Sequence, residues 1–104
     1  MKQLTVIVNE ALEEVKGENI ITLDVSNITA VMDTVIVVSG STNRQVKALS
    51  NAVIEASKKA GFQPLGVEGM DGGEWVLVDL LDVVVHIMQP AVRDFYELEK
   101  LWSV

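Results

Sequence analysis

Apolar residues recur at intervals of three and four from Leu4 through Ile7, Val8, Ala11, Leu12 and Val15. This is the buried stripe of a helix over residues near 3 to 16, with Gly17 where a left-handed C-cap residue belongs. The spacing then changes. Ile20 to Val25 and Asp33 to Ser39 are rich in Val, Ile and Thr, and Val35-Ile36-Val37-Val38 is apolar on both faces, which predicts a covered interior strand placed centrally in a sheet. Ser39-Gly40-Ser41-Thr42 breaks this strand, and Thr42 with Gln45 has the spacing of a reciprocal capping box. Val46, Leu49, Val53, Ala56 and Ala60 form the inward stripe of the helix that follows, and Gly61 ends it.

Pro64, Gly66, Gly69, Gly72 and Gly73 mark a flexible middle segment with room for a short strand near Leu65 to Glu68. Trp75 to Leu80 and Val83 to Met88 read as two strands joined by Leu81-Asp82, the spacing of a tight hairpin. Pro90 opens a last helix whose inward residues are expected at Val92, Phe95, Leu98 and Leu101 or Trp102. The order of elements predicts an α/β fold in a single domain spanning 1–104, with a mixed β-sheet of about five strands flanked by helices.

Strand alternation gives the hairpin two different faces. With Leu80 opposite Val83, the aliphatics Val76, Val78, Leu80, Val83, Val85 and Ile87 share one face, the expected core. The other face carries Trp75, Leu77, Asp79, Val84, His86 and Met88, with Leu77 opposite His86 and Trp75 opposite Met88. An indole, a thioether, an imidazole and a carboxylate on a rigid sheet suit a protein-binding patch. Periodicity leaves two readings open, a docking face and a mixed core covered by the last helix.

Charge and composition narrow the choice of partner. Eight Lys and Arg against fifteen Asp and Glu leave a net charge of −7, which disfavours direct contact with nucleic acid. There is no cysteine, so disulfides, thiolate zinc sites and cysteine nucleophiles are excluded. One histidine and no thiol leave only carboxylate chemistry for a metal, and no metal site or cofactor is called for. Asn9, Glu10, Glu13 and Glu14 interrupt the first apolar segment, so neither a signal-peptide core nor a membrane span is expected and a cytoplasmic location is.

Isolated motifs carry little chemistry. The Ser39 to Arg44 turn has the position of an anion-binding helix start but lacks a phosphate-loop lysine, and capping by Thr42 is the preferred reading. Asp79 and Asp82 evoke the paired carboxylates of nucleotidyltransferases, yet a spacing of three across a turn does not suit a shared magnesium ion. His86 with Asp79 and Ser39 or Ser41 lacks the nucleophile elbow of a hydrolase. Glu68, Asp71 and Glu74 are expected to be a solvated acidic loop, and Arg93 with Glu97 a surface pair at i, i+4 spacing.

Ser39-Gly40-Ser41 with Arg44-Gln45-Val46, Trp75 to Asp79, Asp82 to Ile87, Arg93 to Glu99 and Leu101-Trp102 together resemble the ribosomal silencing factor family, also called Iojap-like proteins, over nearly the whole chain. The resemblance implies a nucleotidyltransferase-like sheet without catalysis. It implies binding to the large ribosomal subunit through ribosomal protein L14, little direct RNA contact, and a block to joining of the small subunit that represses translation. A homodimer of the free protein is compatible with it. Carried onto this sequence, the partner-binding surface includes Trp75, Asp79, Asp82 and His86, with Arg93 and Tyr96 as neighbours; Leu77 and Met88 join it from the alternation of the hairpin face. The chain departs from common family usage in having Leu80-Leu81 where Tyr-Gly is frequent and Met88 where Phe is. Leu81 is then expected to strain the turn. Two alternatives remain open, a magnesium-dependent nucleotidyl or phosphoryl transferase using Asp79, Asp82 and the Ser39 to Arg44 turn, and a large-subunit assembly factor.

Overall fold

The computed structural model describes residues 3–101. Helix α1 (Leu4–Glu14) leads through β1 (Glu18–Asp24) and β2 (Thr34–Ser39) to α2 (Asn43–Lys59). Strands β3 (Gly66–Glu68), β4 (Trp75–Asp79) and β5 (Val83–Met88) follow, then α3 (Pro90–Tyr96) and the one-turn α4 (Leu98–Leu101). The five strands form one mixed sheet in the order β1-β2-β5-β4-β3. Only β2 and β5 run parallel; the other neighbours are antiparallel. The sheet is therefore centred on β5, and β2, expected in the middle, is interior but one place to the side.

Helices α1 and α2 cover one face. Val8 and Leu12 of α1 and Val46, Leu49 and Val53 of α2 pack on Ile36 and Val38 and on all six hairpin aliphatics expected in the core. Ser50 and Ser57 of α2 are also fully buried, which an apolar-stripe reading misses; their hydroxyls donate to the Val46 and Val53 carbonyls, so neither hydroxyl is left unpaired. Ala60, assigned to the same stripe, is exposed because the helix has ended and Gly61 has turned away at φ +92°.

Several local expectations are corrected by the hydrogen bonds. The left-handed residue after α1 is Lys16, at φ +61°, not Gly17. Gly17 is small for another reason: an added Cβ there lies 2.7 Å from Val38 Cγ2 and 3.2 Å from Leu49 Cδ2. The Thr42 hydroxyl accepts from the Gln45 amide at 3.0 Å, half of the capping box. The other half is absent because the Gln45 side chain donates instead to the Val15 carbonyl, joining the start of α2 to the end of α1. The glycine segment expected to be flexible is anchored: the Gly73 amide donates to the Gly69 carbonyl, and the Gln89 side chain donates both to the Gly73 carbonyl and to Asn43 of α2.

The last helix does not keep one inward face. It breaks at Glu97, which is left-handed at φ +47°, and restarts as α4. Val92 and Leu98 still pack inward, but Phe95 is 80% exposed and Leu101 68% exposed. Trp102 lies outside the described residues.

Candidate partner-binding surface

The hairpin register is the one its pattern implies. Trp75 pairs with Met88, Leu77 with His86 and Asp79 with Val84, while Val76 and Val78 face Ile87 and Val85. The Leu80 amide donates to the Val83 carbonyl to close the turn. Leu81 pays for the missing glycine at φ +76°, with its side chain 58% exposed and its amide held by Asp79 Oδ1 at 2.9 Å. Asp79 is thus half-buried and engaged in the turn, and Asp82 lies exposed beyond it. The Asp82 carbonyl accepts from the amides of Asp33 and Thr34, so this residue also fixes where β2 begins.

Both readings of the second sheet face hold, each for half of it. Over β2 and β5, Leu98 and Val92 cover Val35, Val37 and Met88 in a second apolar cluster that also takes in Val25 and the edge of Trp75. Cover stops at Trp75. Beyond it Leu77 and Asp79 of β4 are half-buried, and all of β3 is exposed. Met88 is completely covered and supports the surface from beneath. Arg93 is also buried, 7% exposed, because its guanidinium donates to Glu99 through Nε and to Ser39 Oγ at 2.8 Å through Nη1. The expected Arg93–Glu97 pair does not form; Glu97 pairs with Lys100 at 3.1 Å instead. Burial pushes the Glu99 carboxyl up, but its own backbone N–H and the Arg93 guanidinium outweigh that and hold it below the usual range.

An aromatic run crosses the boundary between the covered and open halves. Trp75 Nε1 donates to His86 Nδ1 at 3.1 Å, which requires that nitrogen to be unprotonated. Burial favours the same neutral state, pushing the imidazole down to about 4. The Trp75 and Tyr96 ring centroids are 4.9 Å apart, and Phe95 meets Tyr96 edge-on at 5.0 Å. Tyr96 is 52% exposed, so the run starts in the sheet and ends in solvent at Phe95. Sequence reasoning placed Phe95 inside. Val92 is followed at three and four positions by Phe95 and Tyr96, and only the break at Glu97 decides how these rings turn.

On the open side, Glu68, Gly69, Trp75 and Leu77 line a concavity of about 360 Å³. Glu68 ends the short strand that the sequence allows near Leu65 to Glu68, and its place in a concavity is not visible from the acidic-loop pattern. Gly69 is essential to the close approach of β3 and β4: at φ +91°, an added Cβ lies 2.0 Å from the Trp75 carbonyl oxygen. Asp79 and Asp82 flank the turn rather than facing a common site, and among the described residues no group of three or more His, Asp or Glu is arranged to hold a metal ion.

A single α/β domain with a five-strand mixed sheet, helices on one face and a half-covered aromatic surface on the other defines the class of fold. The chain belongs to the ribosomal silencing factor family: the family model described as ribosomal silencing factor during starvation matches residues 1–104. A ribosomal silencing factor of Chromobacterium violaceum is 51% identical over 99% of this chain and 84% of its own length. A crystal structure of a Chromobacterium violaceum protein superposes with a TM-score of 0.94 at 52% identity, covering 95% of this chain and 82% of that one. A mouse protein named for mitochondrial assembly of the ribosomal large subunit is 35% identical over 69% of this chain, which spans 33% of its length.

Proposed function

We propose that this protein is a non-catalytic translational repressor that docks on ribosomal protein L14 of the large subunit, in the cytoplasm, and keeps the small subunit from joining. The observation that carries this reading is the half-open sheet face, where a partly exposed aromatic run adjoins an acidic stretch of chain. From residue 60 to residue 92 the chain has no Lys or Arg, but it has Glu68, Asp71, Glu74, Asp79 and Asp82. A face of this kind attracts a basic protein and repels the phosphates around it, while aromatic anchors supply affinity once contact is made. Trp75, Leu77, Asp79, Asp82 and Tyr96 make the contact, His86 and Met88 orient and support it, and Arg93 holds α3 in place beside it.

The test is sedimentation of a lysate through a density gradient, probing for this protein. It is expected with free large subunits and not with joined ribosomes. Presence on joined ribosomes would overturn the block to joining. The name of the mouse relative favours a second reading, assembly of the large subunit. Accumulation of immature large subunits on depletion would support assembly, whereas premature joining with mature subunits would support silencing.

A further inference from the structure

We propose that the concavity between β3 and β4 captures one arginine side chain of the docked basic protein, with Glu68 as its carboxylate partner and Trp75 as its stacking surface. The inference rests on the reading that the Trp75 face docks such a protein, and it assigns Glu68 a role in specificity.

The concavity measures about 360 Å³, ample for one long side chain. Its lining combines three chemistries that an arginine needs together. Leu77 gives an apolar bed for the methylene stem, Trp75 gives an aromatic wall for the planar guanidinium, and Glu68 gives an anion at the exposed edge. Among the described residues no cation is paired with Glu68; the ion pairs formed are Arg93 with Glu99 and Lys100 with Glu97. No Lys or Arg exists between positions 60 and 92 to fill the site from neighbouring sequence.

Gly69 makes this space. Any side chain there collides with the Trp75 carbonyl, so β3 and β4 can approach only with bare backbone beside the cavity. The indole is also held from behind: its N–H is committed to His86, and Tyr96 packs on it at 4.9 Å, so the wall is ordered before a partner arrives. Arginine fits this lining better than lysine because a planar fork can stack and bind a carboxylate at once, whereas an ammonium is a strongly hydrated point charge.

The experiment measures binding of the full chain to isolated L14 at two ionic strengths. Glu68→Arg is expected to weaken binding about tenfold or more, and Glu68→Gln about threefold to tenfold with a shallower salt dependence. Glu55→Gln, an exposed acid of α2 on the opposite face of the sheet, is expected to change it less than about twofold. Replacing the exposed arginines of L14 singly by lysine should reveal one whose loss matches Glu68→Gln and adds nothing when the two are combined. If Trp75→Ala loses binding while both Glu68 variants bind normally, or if every arginine tolerates lysine, the arginine site is refuted and docking stands. If Trp75→Ala itself binds normally, the docking reading fails and this inference with it.

Discussion

Truncating Trp75 to alanine separates two roles of one side chain. A fully buried Trp costs about 3–5 kcal/mol to truncate. Trp75 is half-buried, with one edge in the second apolar cluster and the other at the concavity, so about 2 kcal/mol of that applies. Loss of the indole N–H to His86 Nδ1 adds about 1 kcal/mol. The total, about 3 kcal/mol, is less than the stability of an ordinary domain, so the variant should fold with a lowered urea midpoint. Affinity for the large subunit should fall by about 2 kcal/mol or more, roughly thirtyfold, as for a central aromatic anchor. The single histidine of the chain supplies an internal control. With the indole gone, water reaches the imidazole and its pKa should rise from about 4 toward the ordinary 6.5, read directly from the His86 ring proton by NMR. Trp75→Phe should recover part of the stability but not the hydrogen bond. A His86 midpoint still near 4 in Trp75→Ala would refute the claim that the indole shields it, and complete unfolding would refute its assignment to the half-open face.

Leu81→Gly should stabilise the protein by about 0.5–1 kcal/mol, because it removes a left-handed penalty and sacrifices a side chain that is mostly exposed; chemical denaturation would show it. Val85→Asp should abolish the fold, seen as loss of dispersed amide resonances, since it puts an unpaired charge at a fully buried position under α2. Stability should also depend on His86. Folded His86 takes up a proton near pH 4 and unfolded His86 near 6.5, so the unfolded state gains protons first as pH falls. The contribution is complete above about 6.5 and is lost toward pH 4, by up to about 3 kcal/mol, and His86→Gln should flatten that part of the urea-midpoint profile. Asp82→Asn, at an exposed turn, should slow association with L14 and reduce its salt dependence, whereas Asp79→Asn should act on dissociation; surface-binding kinetics distinguish the two.

The hairpin was legible from sequence because alternation and a two-residue turn leave almost no freedom. Once Leu80 is placed opposite Val83, every pair from Trp75–Met88 to Asp79–Val84 follows. The second face was not decided by pattern because its cover comes from α3 and α4, whose path depends on the single left-handed residue Glu97. Spacing cannot choose between Phe95 and Tyr96 without that break. Arg93 was misread for a related reason: its helical neighbour Glu97 is the residue that leaves the helix, and the guanidinium reaches Glu99 and Ser39 instead. The concavity was invisible in sequence because its defining feature is a close backbone approach at Gly69, and one glycine among several does not reveal which strand it lies against.

The parallel seam between β2 and β5 has a consequence for how the chain is made. Thr34 pairs with Val83, 49 positions later, whereas every other strand pairing joins segments much nearer in sequence. Closing so long a loop is slow and earns nothing until both ends are present. During synthesis α1, β1, β2 and α2 emerge first, and they can associate through α1 and α2. The inner edge of β2, with Val35 to Val38, has no strand to pair with until residue 88 has left the exit tunnel. Until then the growing chain displays an apolar, unpaired strand edge, the feature by which a nascent chain is exposed to aggregation and to capture by chaperones.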